Sequence, residues 1–278
     1  MNKKIFWIAS YPKSGNTWLR AIISSLFFSN DGNFTFDLLK NISVFDLQSK
    51  YNFIKNLDIN DYKNLGKIEI LSKYRLLAQK KAEVGGDFAF FKTHSSNINI
   101  NNHPYTNKDL VRGVIYIIRD PRDVAISYSY HLNLSIDKTI DIITNQKYFV
   151  NYDSLPYLMS SWDLHYQSWN NLKVPKLIIK YEDMINHTSN KLNEIFLFLS
   201  NNFGFNFNKE ALFSNILKST NFLALQNLEK ERGFNEAKDH ARFFRKGKTN
   251  QWTNILTEDQ KKIIEKKFKK IMEKYDYL

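Results

Sequence analysis

The stretch Ile5-Phe6-Trp7-Ile8-Ala9-Ser10, followed at once by Tyr11-Pro12-Lys13-Ser14-Gly15-Asn16-Thr17-Trp18, constrains this 278-residue chain more than any other feature. A short, nearly continuous apolar run is the pattern of a strand buried on both faces, as parallel sheets require. Tyr11 to Gly15 reads as a turn, and Thr17 to Phe28 as a helix with Trp18, Leu19, Ile22, Ile23 and Leu26 on one side. The chain therefore opens strand, loop, helix. Further strands are expected at Asp87–Lys92, Gly113–Ile118 and Lys176–Lys180. Helices are expected around Ile70–Ala82, from near Arg122 through Tyr128, over Lys191–Leu199 and over Glu258–Tyr275. Asp120 and Pro121 supply an N-cap and a first-turn proline for the second of these. In the last helix Ile263, Ile264, Ile271, Met272 and Tyr275 are expected to face inward. Strands separated by helical stretches imply βαβ crossovers. The expectation is a single α/β domain over residues 1–278, with a mostly parallel central sheet flanked by helices and a P-loop-like phosphate-binding loop.

Composition removes several chemistries. The chain has no cysteine, which excludes disulfides, iron–sulfur clusters, a thiol nucleophile and cysteine-ligated zinc. Forty Lys+Arg against 28 Asp+Glu give a net charge of +12, which predicts affinity for anions: nucleic acid, acidic membrane, a phosphorylated cofactor or an acidic glycan. A general richness in Lys and Asn puts part of that surplus on solvated faces. No run approaches ~18 consecutive apolar residues, and Ile5–Ala9 is too short for a signal-peptide core. A cytoplasmic protein with no membrane span is the expectation.

Four clusters carry candidate chemistry. Lys13 to Trp18 lies between a strand and a helix, where backbone N–H groups make an anion site. Gly15 admits close backbone approach, Ser14, Asn16 and Thr17 offer polar hydrogens, and Lys13 adds charge. A Walker loop places Lys after its second Gly, whereas Lys13 precedes Gly15, so an ATP-hydrolysing loop is disfavoured. Arg119 ends a buried strand, where open α/β sheets bind ligands, and Ser127 follows two helical turns later. Together they are a candidate second phosphate clamp; the competing reading pairs Arg119 locally with Asp123. Arg245-Lys246-Gly247 is a candidate flap over an anion, or a basic surface run. Lys92-Thr93-His94 ends the Asp87–Lys92 strand, and His94 there is a candidate general base or a surface-loop residue.

Taken in order, PKSGNTW, FFKTH, RDPRDVAISY, YEDM and RKG closely resemble the cytosolic-type sulfotransferases, over about residues 5 to 257. These enzymes use 3′-phosphoadenosine 5′-phosphosulfate (PAPS) and release 3′-phosphoadenosine 5′-phosphate (PAP). The resemblance implies that Lys13, Ser14, Gly15, Asn16 and Thr17 form the 5′-phosphosulfate loop, with Lys13 at the transferring group. It implies that Trp18 packs on adenine, that Arg119 and Ser127 grip the 3′-phosphate, and that Arg245, Lys246 and Gly247 form a second clamp. Tyr181, Thr220 and Phe222 match the adenine pocket, and Lys92 and His94 match the catalytic lysine and histidine. The implied reaction moves a sulfonate to an acceptor hydroxyl or amine without a metal, His94 taking the acceptor's proton. This sequence departs at Asn16, where relatives often have Thr, and at Asn250-Gln251, where the family pattern has Gly-Asp before Trp252. The short dimerisation motif of some animal members is not recognisable, so the oligomeric state is left open.

Two other classes compete. A P-loop kinase would use the phosphate loop, but the Walker spacing and a clear Mg²⁺ partner are missing. A nucleic-acid-binding protein would use the charge, yet the cations fall at strand ends rather than on one stripe. Acceptor loops are expected at about 31–81, 131–159 and 227–244, with Phe34, Phe36, Tyr130, Phe149 and Tyr152 as an apolar wall or, the commoner fate of such residues, as core packing.

Overall fold

Strand β1 (Ile5–Ser10) is buried along its whole length, as its apolar run requires. In this computed structural model residues 4–82, 86–151, 155–207, 209–237 and 242–278 are described, residues 209–211 for backbone only; Tyr152 lies outside them. After β1 come α1 (Asn16–Phe28), β2 (Ser43–Val44), α2 (Ile59–Lys63), α3 (Ile68–Lys81), β3 (Ala89–Thr93) and β4 (Val111–Ile118). Then follow α4 (Pro121–Leu132), α5 (Ile136–Thr144), β5 (Phe149–Val150), β6 (Tyr157–Leu158), α6 (Trp162–Asn170) and β7 (Lys176–Lys180). The remainder is helical: α7 (Tyr181–Asn186), α8 (Thr188–Phe203), α9 (Lys209–Thr220), α10 (Phe222–Arg232), α11 (Trp252–Ile255) and α12 (Glu258–Lys274).

One parallel sheet has the order β2-β3-β1-β4-β7, and β5 and β6 make a separate antiparallel pair. The α/β expectation holds, and all four expected strands are present. Strand β2 is an addition, only two residues long and too short to leave an alternating pattern. Helix α8 extends beyond the expected Lys191–Leu199 at both ends.

Backbone proximity divides the chain into two compact units. The first comprises Met1–Tyr11, Ser43–Tyr116 and Ile142–Lys176. Its core centres on Trp7, whose ring lies 5.3 Å from Phe45, 5.4 Å from Tyr105 and 5.9 Å from both Phe91 and Trp169. Such aromatic pairs add about 0.5–1.5 kcal/mol each beyond the area they bury. Parallel pairing sets Ala9 beside Thr93, so Ser10 and His94 leave the sheet side by side.

The second unit comprises Pro12–Ile42, Ile117–Asp141 and Leu177–Leu278. Helix α1 is buried from Asn16 to Leu26, including its polar residues. Asp120 caps α4 by accepting from the Arg122 N–H, and Pro121 opens the helix, as the sequence leads one to expect. Helix α12 starts with a capping box between Thr257 and Gln260. Its inward face is Ile264, Phe268, Ile271 and Met272. Ile263 is instead 52% exposed, because it lies 100° around the helix from Ile264, off the buried stripe.

Candidate active site

The loop after β1 turns on two residues with positive φ, Lys13 at 63° and Gly15 at 102°. At Gly15 a Cβ would stand 2.7 Å from the Tyr181 ring and 3.0 Å from Ile117, so a side chain is excluded by space as well as by backbone angle. This close approach puts the N-terminus of α1 directly behind the loop, and no side chain caps it there. Ser14 Oγ and Trp18 Nε1 are buried and have no hydrogen-bond partner, which leaves two polar hydrogens available to a bound anion or nucleotide. Trp18 meets Tyr181 edge-on at 6.1 Å.

Arg119 staples this loop to the strap around Gly247. Its two terminal nitrogens donate to the carbonyls of Lys13 (3.0 Å) and Lys248 (3.1 Å), and its guanidinium covers the Tyr181 ring at 4.3 Å. It also stands 3.7 Å from Asp123, so the local ion pair is present alongside these contacts. Burial raises the Asp123 carboxyl, and Arg119 opposes that shift.

The strap is fixed by aromatic packing. Gly247 has φ 57°, and a Cβ there would stand 2.4 Å from the Phe222 ring, so the glycine lets Phe222 close on the backbone. Thr220 is buried and its hydroxyl donates to the Ile216 carbonyl. Arg245 lies over the Tyr130 ring at 4.0 Å, and burial lowers its guanidinium's pKa from the ordinary value. Lys246 is exposed. A pocket is lined by Lys13, Ser127, Tyr130, His131, Arg242, Phe243 and Arg245, which brings Ser127 together with three cationic side chains. Lys13 Nζ rests 4.2 Å above the Phe243 ring. Asn250 has φ 57°, a conformation Asn tolerates better than most residues, which explains how it stands where the family pattern has Gly. Gln251 accepts from Arg245 at 3.5 Å and donates to the Lys248 carbonyl, so the departure in sequence ties the strap to itself.

In the first unit, Lys92 is buried one residue before the end of β3, and His94 follows the strand half-buried. His94 Nδ1 lies 2.8 Å from the Ser10 carbonyl and 3.3 Å from its hydroxyl. A carbonyl only accepts, so Nδ1 carries the proton and, in the neutral ring, Nε2 keeps its lone pair. Thr93, between them, belongs to a buried network: Tyr105 donates its hydroxyl to Thr93 Oγ1 at 2.8 Å and lies 3.0 Å from Asp46, which Arg75 faces at 3.9 Å.

A sulfotransferase-domain family model matches residues 3–276, almost the entire chain. This chain belongs to the sulfotransferase family. It is 26% identical over 270 residues to flavonol 4′-sulfotransferase of Flaveria chlorifolia, covering 94% of this chain and 76% of that protein. It is 24% identical to cytosolic sulfotransferase 17 of Arabidopsis thaliana, covering 95% of this chain and 74% of the relative. Its fold is similar to that of retinol dehydratase solved with androsterone and the inactive cofactor PAP, with a TM-score of 0.64 and 22% identity. That likeness covers 98% of this chain and 81% of the other. The enzyme transfers a sulfonate from PAPS, and the kinase and nucleic-acid readings fall away.

The sulfotransferase holds groups that the sequence did not single out. Glu236 accepts from the Thr17 hydroxyl at 3.3 Å and from Arg20 at 2.5 Å, tying α1 to the segment before the strap. Arg242 joins the pocket's cations. Phe34 and Phe36, from the expected acceptor wall, pack on one another with rings 5.8 Å apart, and Phe36 stacks on Phe234 at 4.6 Å within the strap's aromatic packing. Tyr130 and Phe149 are the exposed members of that expected wall.

Proposed function

We propose that Lys13, Lys92 and His94 carry the sulfonate transfer. In this reading the residues from Lys13 to Trp18, with Arg119, Ser127, Tyr181, Thr220, Phe222, Arg245, Lys246 and Gly247, hold PAPS. The family match across both units supports treating residues 1–278 as one sulfotransferase domain. The fit to a nucleotide bearing phosphates rests on the uncapped α1 N-terminus, the unpartnered Ser14 and Trp18 donors and the cationic pocket.

The single observation that carries the mechanism is the His94 ring, whose Nδ1–H is committed to Ser10. Its Nε2 takes the proton of an acceptor hydroxyl or amine as that group becomes a nucleophile. PAPS supplies an activated sulfonate and leaves as PAP. Lys13 and Lys92 place positive charge where negative charge develops, the part that Mg²⁺ takes in kinases, so the reaction needs no metal. Arg119 and Arg245 hold phosphate through charge-assisted hydrogen bonds. The acceptor is a molecule with a hydroxyl or amine, with no nucleic acid as partner. Relatives named cytosolic sulfotransferases support action in the cytoplasm.

Transfer of label from radioactive PAPS across a panel of phenols, sterols and amines tests this reading. Labelled product that survives EDTA is the expected result. Turnover lost to the chelator and restored by Mg²⁺ would overturn the metal-free mechanism.

A further inference from the structure

Helix α6 presents three side chains along one face, His165, Ser168 and Trp169, to the backbone that carries His94. His165 Nε2 lies 3.1 Å from the His94 carbonyl. The Trp169 indole donates to the Ser95 carbonyl at 2.9 Å, and the Asn97 N–H donates to Ser168 Oγ at 2.8 Å. The spacing i, i+3, i+4 makes this one continuous clamp. His165 itself is fully buried and bonded on both nitrogens. Because the His94 carbonyl can only accept, Nε2 of His165 bears the proton, and Nδ1 accepts from the Tyr116 hydroxyl at 2.8 Å. Tyr11 packs edge-on against the same ring at 5.5 Å. Burial lowers the His165 pKa to about 3, so the ring is neutral at physiological pH.

We infer that His165, oriented by Tyr116, is a positioning residue that fixes the peptide of His94 and so aims the His94 ring. The inference rests on the reading of His94 as the base. Side-chain rotamers of His94 are set from its own Cα, and a peptide free to rotate would carry the ring away from Ser10. A displacement of about 1 Å at a reacting group costs on the order of 100-fold in rate.

The test measures kcat and the KM for PAPS with one acceptor that the full-length enzyme turns over, beside PAP affinity by calorimetry. His165→Phe is expected to lower kcat about 100-fold, with the KM for PAPS and PAP affinity within about twofold of wild type. His165→Gln keeps an N–H aimed at the His94 carbonyl and is expected to recover about tenfold of that loss. Tyr116→Phe removes only the hydroxyl that sets the ring and is expected to fall between wild type and His165→Phe. A folded His165→Phe enzyme with wild-type kcat, or a His165→Gln enzyme no faster than His165→Phe, overturns the positioning role. If His165→Phe does not fold, Tyr116→Phe decides, and an unchanged kcat in it overturns the role. His94→Ala separates the two readings: full turnover there removes the base itself, whereas an inactive His94→Ala beside an active His165→Phe removes only the positioning.

Discussion

The loop after β1 and the strap of the second unit gather charge, whereas His94, just after β3 in the first unit, is held by neutral hydrogen bonds. Around Gly15 and Gly247, Lys13, Arg119, Arg242 and Arg245 are drawn together by backbone carbonyls, aromatic rings and a single pocket. At His94 the Ser10 carbonyl holds the ring Nδ1, and His165 of α6 holds the residue's own backbone carbonyl. On the proposed assignment, the contrast separates two tasks that one enzyme must perform. Holding an anion tolerates redundancy, because each cation contributes part of the attraction. Removing a proton does not, because one nitrogen must hold its lone pair in one place.

The largest effect should therefore follow from the smallest change at β3. His94→Ala and His94→Asn are each expected to lower kcat by ~10²–10⁴-fold while PAP affinity, measured by calorimetry, stays near wild type. Near-wild-type turnover on a verified acceptor would break the comparison, and His131, which lines the cationic pocket, would be tested next.

Arg119→Ala should give a graded loss. A charge-assisted hydrogen bond contributes ~1.5–3 kcal/mol, so PAP should bind at least about tenfold more weakly. Adenosine 5′-phosphosulfate, which lacks the 3′-phosphate, should lose much less. Equal losses for both ligands would recast Arg119 as the staple between the Lys13 and Lys248 carbonyls rather than as a phosphate clamp.

The mildest effect concerns pH and stability. The folded His165 ring titrates at about 3, and the free ring at 6.5. Between those values the unfolded chain binds more protons, so stability is fully present above the free value and declines as pH falls towards the folded one. The decline from this residue is at most ~1.4 kcal/mol per pH unit. Urea unfolding of wild type between neutral and mildly acidic pH should thus fall more steeply than that of His165→Gln. Comparison with the variant isolates His165 from Asp46, Asp123 and Glu182, buried carboxyls with raised pKa that act in the opposite sense. Parallel pH profiles for the two proteins would contradict the buried neutral ring.

Much of this organisation was legible in the sequence because its signals are local. The run Ile5–Ser10, the Asp120-Pro121 helix start and the glycine at position 15 each announce a conformation within a few residues. Gly247 was readable as a flap residue, although its reason, the Phe222 ring, lies 25 positions earlier. What stayed hidden is non-local or very short. Strand β2 has two residues and no period. The contacts from His165 to His94 and Tyr116 span 71 and 49 positions, and those of Glu236 to Thr17 and Arg20 span 219 and 216. No periodicity marks a side chain whose partner is a distant carbonyl or hydroxyl. Ile263 shows the complementary error, since an apolar residue beside a buried one was assigned to the same face.

The account turns on which nitrogen of His94 bears the proton. Nitrogen-15 NMR of ring-labelled enzyme reads this directly, with the His94 signals identified among the 6 histidines by their loss in His94→Ala. Near neutral pH, Nδ1 is expected to show the shift of a protonated nitrogen, held by Ser10, and Nε2 that of an unprotonated nitrogen. A proton on Nε2 instead, with Nδ1 bare, would contradict the central claim.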